Sequence, residues 1–150
     1  MWRRLNRREA LNVGVGAFAA GLGSAAGQAR ALNGYADEIN KFTGGKTPVE
    51  GRVRLELPEL AENGNTVPLS VAVDSPAGEG AHVQEILVVA PANPNARVIR
   101  FRFSSLSVPE ASTRIRLAAT QDVIAVAKLS DGTFFSASRQ IKVTIGGCGG

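Results

Sequence analysis

The residues best equipped for chemistry close the chain: Gly146-Gly147-Cys148-Gly149-Gly150, after Lys142-Val143-Thr144-Ile145. Cys148 is the only cysteine among the 150 residues. Its thiolate is a good nucleophile, and its sulfur can join a second sulfur in a disulfide or persulfide, which a serine hydroxyl cannot do. With no second cysteine in the chain an intramolecular disulfide is excluded, so Cys148 can react only with another molecule. Lys142 would favour the thiolate on close approach, whereas the carboxylate of Gly150 would disfavour it. Gly146, Gly147, Gly149 and Gly150 add no bulk and maximise backbone freedom, so residues 146–150 read as a flexible arm. Ile141, Val143 and Ile145 alternate with Lys142 and Thr144, which places a last strand over residues 139–145. From Ile145 to Cys148 the reach is roughly 10 Å, enough to push a thiol into a narrow cleft of another protein. A frayed tail with an incidental thiol is the plainer reading, but it does not explain why the one cysteine sits between two glycine pairs. A prenylation site is excluded, since Cys148-Gly149-Gly150 lacks the C-a-a-X pattern.

Little else in the chain could do chemistry. One histidine, His82, and one cysteine cannot make a histidine-rich or cysteine-based metal centre, so no cofactor or metal is expected. No phosphate-binding glycine loop occurs, no Ser-His-Asp set has a motif around it, and Glu56, Glu59 and Glu62 read as surface charge. The net charge of +4 is uneven along the chain. Residues 1–31 hold Arg3, Arg4, Arg7, Arg8 and Arg30 against Glu9, while residues 32–150 carry 12 basic and 12 acidic groups. A neutral folded part has no long-range field for phosphates, so nucleic acid is not an expected partner.

The basic start explains itself. It precedes a small, uncharged apolar run from Val13 to Gly23 and then Ala29-Arg30-Ala31, the layout of an export signal with cleavage expected after Ala31. Arg7-Arg8, with Leu11 beyond them and a glycine-rich, mildly hydrophobic stretch, resembles the twin-arginine class, although Asn6 and Ala10 stand where that class favours a hydroxyl residue and a phenylalanine. The apolar run falls short of the ~20 residues a spanning helix needs, so no stable membrane anchor is expected, and an ordinary Sec signal stays open as the alternative export route.

Elements that position the arm follow from periodicity. Tyr35, Ile39 and Phe42 recur at spacings of four and three, one face of a helix over residues 32–43 that Gly44-Gly45 should stop. That face reads as core packing. From Gly51 onward the period becomes two: Val53, Leu55 and Leu57; Val67, Leu69, Val71 and Val73; Ile99, Phe101 and Phe103; Ile115 and Leu117. The runs from Glu85 to Ala90 and from Val123 to Ala127 are more continuously apolar, as expected for strands covered on both faces. Turn residues stand between them at Asn63-Gly64, Ser75-Pro76-Ala77-Gly78, Pro91-Ala92-Asn93-Pro94 and Asp131-Gly132, the last being the strongest hairpin signal. Arg52, Arg54, Arg100, Arg102, Arg114 and Arg116 fall on the polar faces of their strands and read as solvated charge. About seven strands and one helix predict an all-β chain: an immunoglobulin-like antiparallel β-sandwich with a short N-terminal helix. The expected organisation is a signal over 1–31, a helix-plus-sandwich domain over 32–145 and the arm over 146–150.

These residues together resemble the SoxY family, the sulfur-carrier subunit of the periplasmic thiosulfate-oxidising Sox system. The resemblance rests on the terminal Gly146-Gly147-Cys148-Gly149-Gly150, on Ser112-Thr113-Arg114-Ile115-Arg116-Leu117, on Asp131-Gly132, on Lys142-Val143-Thr144-Ile145, on Asn93-Pro94-Asn95 and on the twin-arginine-like leader. It implies a periplasmic carrier and no enzyme, with thiosulfate-derived sulfur held on Cys148 as a cysteine S-thiosulfonate or persulfide. It further implies SoxZ as heterodimer partner. A c-type cytochrome would load the carrier, a dimanganese hydrolase would release sulfate, and in some systems a molybdenum sulfur dehydrogenase would oxidise the remaining sulfur. Two other classes stay open: an exported binding module whose Cys148 forms an intermolecular disulfide, and a thiol enzyme acting alone.

Overall fold

The structure, a computed structural model, describes residues 25–74 and 80–147, with side chains from Gly34 onward. Helix α1 (Ala25–Thr43) begins earlier than the expected residue 32, because Gln28-Ala29-Arg30-Ala31-Leu32 are good helix formers and nothing in that run breaks the turn. Ala31, where cleavage is expected, therefore lies inside α1. The helix stops where the glycine pair predicts. Gly44 and Gly45 have φ of +64° and +84°, and the Gly45 amide reaches back to the Asn40 carbonyl at 3.1 Å, a Schellman closure.

Nine strands follow among the described residues: β1 (Val49–Glu50), β2 (Val53–Glu56), β3 (Leu60–Asn63), β4 (Val67–Val73), β5 (Val83–Val89), β6 (Arg97–Arg102), β7 (Glu110–Ile115), β8 (Gln121–Leu129) and β9 (Phe134–Ile145). They form a six-stranded sheet in the order β1-β9-β8-β5-β6, with β3 also on β9, and a three-stranded sheet β2-β4-β7. The two pack as an immunoglobulin-like sandwich. Neighbours are antiparallel except that β1 and β3 both run parallel to β9, one at each end of that long strand.

Alternation explains the packing. Val67, Leu69, Val71 and Val73 bury one face of β4, and the same cluster holds Ile86, Val88, Val123, Ala125 and Ile141 from the larger sheet. The continuously apolar β5 and β8 are covered on both sides, as expected. Their other face, Leu87, Val89 and Val126, meets Phe42, Ile39 and Tyr35 of α1 together with Phe134. Burying side chains of this size contributes roughly 1.5–3 kcal/mol each. Phe42 and Phe134 meet edge to face, 5.9 Å between centroids, and Glu38 lies 3.8 Å from Arg97, joining α1 to β6.

Two strands and two strand boundaries also differ from the sequence expectation. Strands β1 and β3 were not anticipated: β1 is two residues long, and Leu60-Ala61-Glu62-Asn63 buries only Ala61, so both exist because β9 offers a hydrogen-bonding edge. Strand β7 lies earlier than the alternation around Ile115 and Leu117 suggests, because β4 pairs with Glu110 to Ile115. Strand β9 starts at Phe134, well before residue 139, because β8 pairs with its whole first half.

The hairpin at Asp131-Gly132 forms as expected between β8 and β9. Gly132 has φ +81°, and the Thr133 amide donates to the Asp131 carboxylate at 2.8 Å. That hydrogen bond holds the Asp131 pKa below the usual aspartate value.

Candidate functional site

Cys148, Gly149 and Gly150 lie outside the described residues, as do Arg7 and Arg8. What the structure places is the root from which Cys148 departs, and that root differs from the expected free tether. Gly146 is half-buried and Gly147 buried. Three backbone hydrogen bonds knit three distant segments there: Gly64 N–H donates to Ile145 O at 2.8 Å, Leu117 N–H to Gly64 O at 2.8 Å, and Gly147 N–H to Leu117 O at 3.0 Å.

Close approach is the reason these positions hold glycine. A Cβ on Gly64 would overlap Leu117 O and lie 2.8 Å from Gly147 N; one on Gly146 would overlap Ala118 O; one on Gly147 would stand 3.2 Å from Asn65 Oδ1 and from Gly64 O. Neither Gly64 nor the Gly146-Gly147 pair has a positive φ, so the Asn63-Gly64 turn is glycine for contact, not for a left-handed backbone. Side-chain freedom given up at 146 and 147 therefore permits packing, and the first residue beyond the packed pair is the cysteine.

The segment that receives the pair, residues 116–119, joins β7 to β8 without strand pairing. Leu117 anchors it with a fully buried side chain. Its other anchor is a pair of buried amides that sequence reasoning missed. Asn93 and Gln121 are only 6% and 7% exposed. Asn93 donates to Arg116 O at 2.8 Å and accepts from Ala118 N–H at 2.9 Å and from Gln121 Nε2 at 3.1 Å. Gln121 also donates to Ala119 O at 3.0 Å and accepts from Ala92 N–H at 2.8 Å. A signal was there: Gln121 shares the inward parity of Val123, Ala125 and Ala127 on β8. Thr120 closes the other flank, its hydroxyl accepting from Val143 N–H at 2.9 Å.

The remaining candidates do not join this site. His82 precedes β5, where its amide and carbonyl bond to Ser130. No group of three or more metal-binding side chains occurs among the described residues, and no described helix is long and apolar enough to cross a membrane. Several arginines expected to be solvated have partners: Arg100 stacks on Phe42 at 5.2 Å and Arg52 on Phe135 at 5.0 Å, Arg102 binds Glu85 at 3.0 Å, and Arg54 meets Asp74 at 3.4 Å.

Fold and site thus define a class: a small β-sandwich whose lone cysteine follows directly on a packed glycine pair. A family profile for the sulfur oxidation protein SoxY matches residues 39–148, and the chain belongs to that family. Among solved structures, the sulfur carrier protein SoxY from Chlorobium limicola f thiosulfatophilum is 33% identical with a TM-score of 0.62, over 75% of this chain and 98% of that one. A superoxide reductase (neelaredoxin) from Ignicoccus hospitalis is 19% identical with a TM-score of 0.54, over 62% of this chain and 80% of its own, and shares the fold. A putative superoxide reductase from Thermotoga maritima, 19% identical with a TM-score of 0.52 over 68% of this chain and 89% of its own, does the same. No curated protein sequence matches the chain.

Proposed function

We propose that the chain is the covalent sulfur carrier of a thiosulfate-oxidising Sox system, with Cys148 as the attachment point. The observation that carries this reading is the extent of the family match, which runs to residue 148 and so includes the cysteine together with the packed glycines before it. The solved relative named as a sulfur carrier protein supports it.

Loading joins the Cys148 thiolate to the sulfane sulfur of thiosulfate. One S–S bond forms, the thiol proton goes to solvent, and two electrons leave to a c-type cytochrome partner; the product is a cysteine S-thiosulfonate. Water delivered by a dimanganese hydrolase then cleaves the bond between sulfane and sulfonate sulfur, releasing sulfate and two protons and leaving a persulfide on Cys148. Where a molybdenum sulfur dehydrogenase is present, the sulfane sulfur gives up six electrons to it, takes three oxygens from water and releases six protons, and hydrolysis of the resulting cysteine S-sulfonate releases sulfate and restores the thiol. The metals belong to the partners, SoxZ is the heterodimer partner, and the chain itself is no enzyme. Its working place is the periplasm, reached through the Arg7-Arg8 signal. Ordering each backbone residue of a docking arm costs about 1–2 kcal/mol, so capture by each enzyme is weak and release is easy.

Cys148→Ser tests the assignment. Incubated with thiosulfate and the oxidised cytochrome partner, the native chain is expected to gain reductant-sensitive mass on its terminal peptide, and the variant none while keeping its fold. Equal mass gain in the variant would overturn the attachment point.

A further inference from the structure

Segment 116–119 is held from two sides. Toward the interior, Arg116 O, Ala118 N–H and Ala119 O bond the Asn93 and Gln121 amides. Toward the chain end, Leu117 N–H and O bond Gly64 and Gly147, and Ala118 O lies against Gly146. Arg116 O shares one peptide plane with Leu117 N–H, and Ala118 N–H shares the next with Leu117 O, so Asn93, by bonding both, fixes the two groups with which Leu117 holds Gly64 and Gly147. Buried amides are costly unless satisfied, and here, apart from the bond between them, both spend their bonds on the backbone of unpaired loops.

We infer that Asn93 and Gln121 are positioning residues for the carrier cysteine, acting through the Leu117 carbonyl that seats the Gly147 amide. The inference rests on the carrier reading of Cys148 and deepens it. With Gly147 seated, the cysteine Cα is one residue, about 3.8 Å, from a fixed point. With the seat lost, the last fixed point is Ile145 and the span grows to roughly 10 Å. The volume the thiol explores grows with about the cube of that span, so its effective concentration at a partner's entrance falls by about twentyfold.

The full mature chain carrying Asn93→Asp tests this. The variant keeps the acceptor for Ala118 N–H and sets an oxygen against Arg116 O where the native amide donates. Amide hydrogen exchange is expected to quicken about tenfold at Gly147 while Leu87 and Val126, in the β5–β8 ladder, keep native rates. In sulfur loading by the c-type cytochrome partner, KM for the carrier is expected to rise about twentyfold with kcat retained. Gln121→Met, which keeps side-chain length and removes the amide, is expected to move both readouts the same way and serves if Asn93→Asp does not fold. Native exchange at Gly147 in a folded variant would overturn the inference, as would equal loss of protection at Gly147, Leu87 and Val126, the mark of a purely structural role. Exchange judges the seat without any sulfur chemistry, whereas a native chain that takes up no sulfur would sink the carrier reading, so the two failures are distinguishable.

Discussion

At the start of β9, Gly132 takes φ +81° with only the Lys46 ammonium, 3.4 Å away, near the place a Cβ would fill. At the far end of the same strand, Gly146 and Gly147 have ordinary backbone angles, and a Cβ on Gly146 would overlap Ala118 O. One end needs glycine for its conformation, the other for its smallness. The first makes a local hairpin that any β-protein can use; the second draws Gly64, Leu117 and Gly147 together from three remote parts of the chain. Glycines next to a lone cysteine therefore do not by themselves mean a loose tether. Here two of them form the last packed layer of the domain.

The contrast is broken most directly by Gly64→Ala, set against Gly132→Ala. An added methyl at Gly64 meets backbone, which cannot move aside cheaply, and is expected to cost about 1–3 kcal/mol in denaturant unfolding and to quicken exchange at the Gly147 amide. Gly132→Ala places a side chain in the left-handed region at a cost of about 1–2 kcal/mol, with Gly147 exchange unchanged. Equal effects of both variants on Gly147 would erase the distinction between the two ends.

Much of this was legible because it is local. Val67 to Val73 alternate strictly, Tyr35, Ile39 and Phe42 share one helical face, Gly44-Gly45 and Asp131-Gly132 carry their own turn chemistry, and each feature stands where its pattern placed it. The two-sided burial of β5 and β8 was legible from their unbroken apolar runs. What could not be read is what depends on contact between remote segments. Nothing in Leu60-Ala61-Glu62-Asn63 signals a strand until β9 lies beside it. Likewise Gly146-Gly147 looks free until Leu117 and Ala118 arrive from residues 116–119, and Asn93 looks like a turn residue until Gln121 and Ala118 meet its amide. The packed seat of Gly146 and Gly147 was not legible from its own residues.

A smaller effect sharpens the hairpin side of the comparison. The Thr133 amide lowers the Asp131 pKa, so the ionised carboxylate is favoured in the folded chain. Its contribution is full above the ordinary aspartate pKa, about 3.9, and is lost as the pH falls through the lowered folded value. Asp131→Asn keeps an acceptor for Thr133 and removes the titration. Denaturant midpoints taken from neutral pH to about pH 2 are expected to fall slightly less in the variant than in the native chain. Identical acid profiles would remove Asp131 from the account.

The central claim is that Cys148 carries sulfur, and the most direct measurement is the intact mass of the native mature protein from cells oxidising thiosulfate, with and without reductant. Added mass that maps to the terminal peptide, is removed by reductant and corresponds to sulfane sulfur or a thiosulfonate is the result the carrier account predicts. A uniformly unmodified Cys148 thiol, in cells demonstrably consuming thiosulfate, would contradict it.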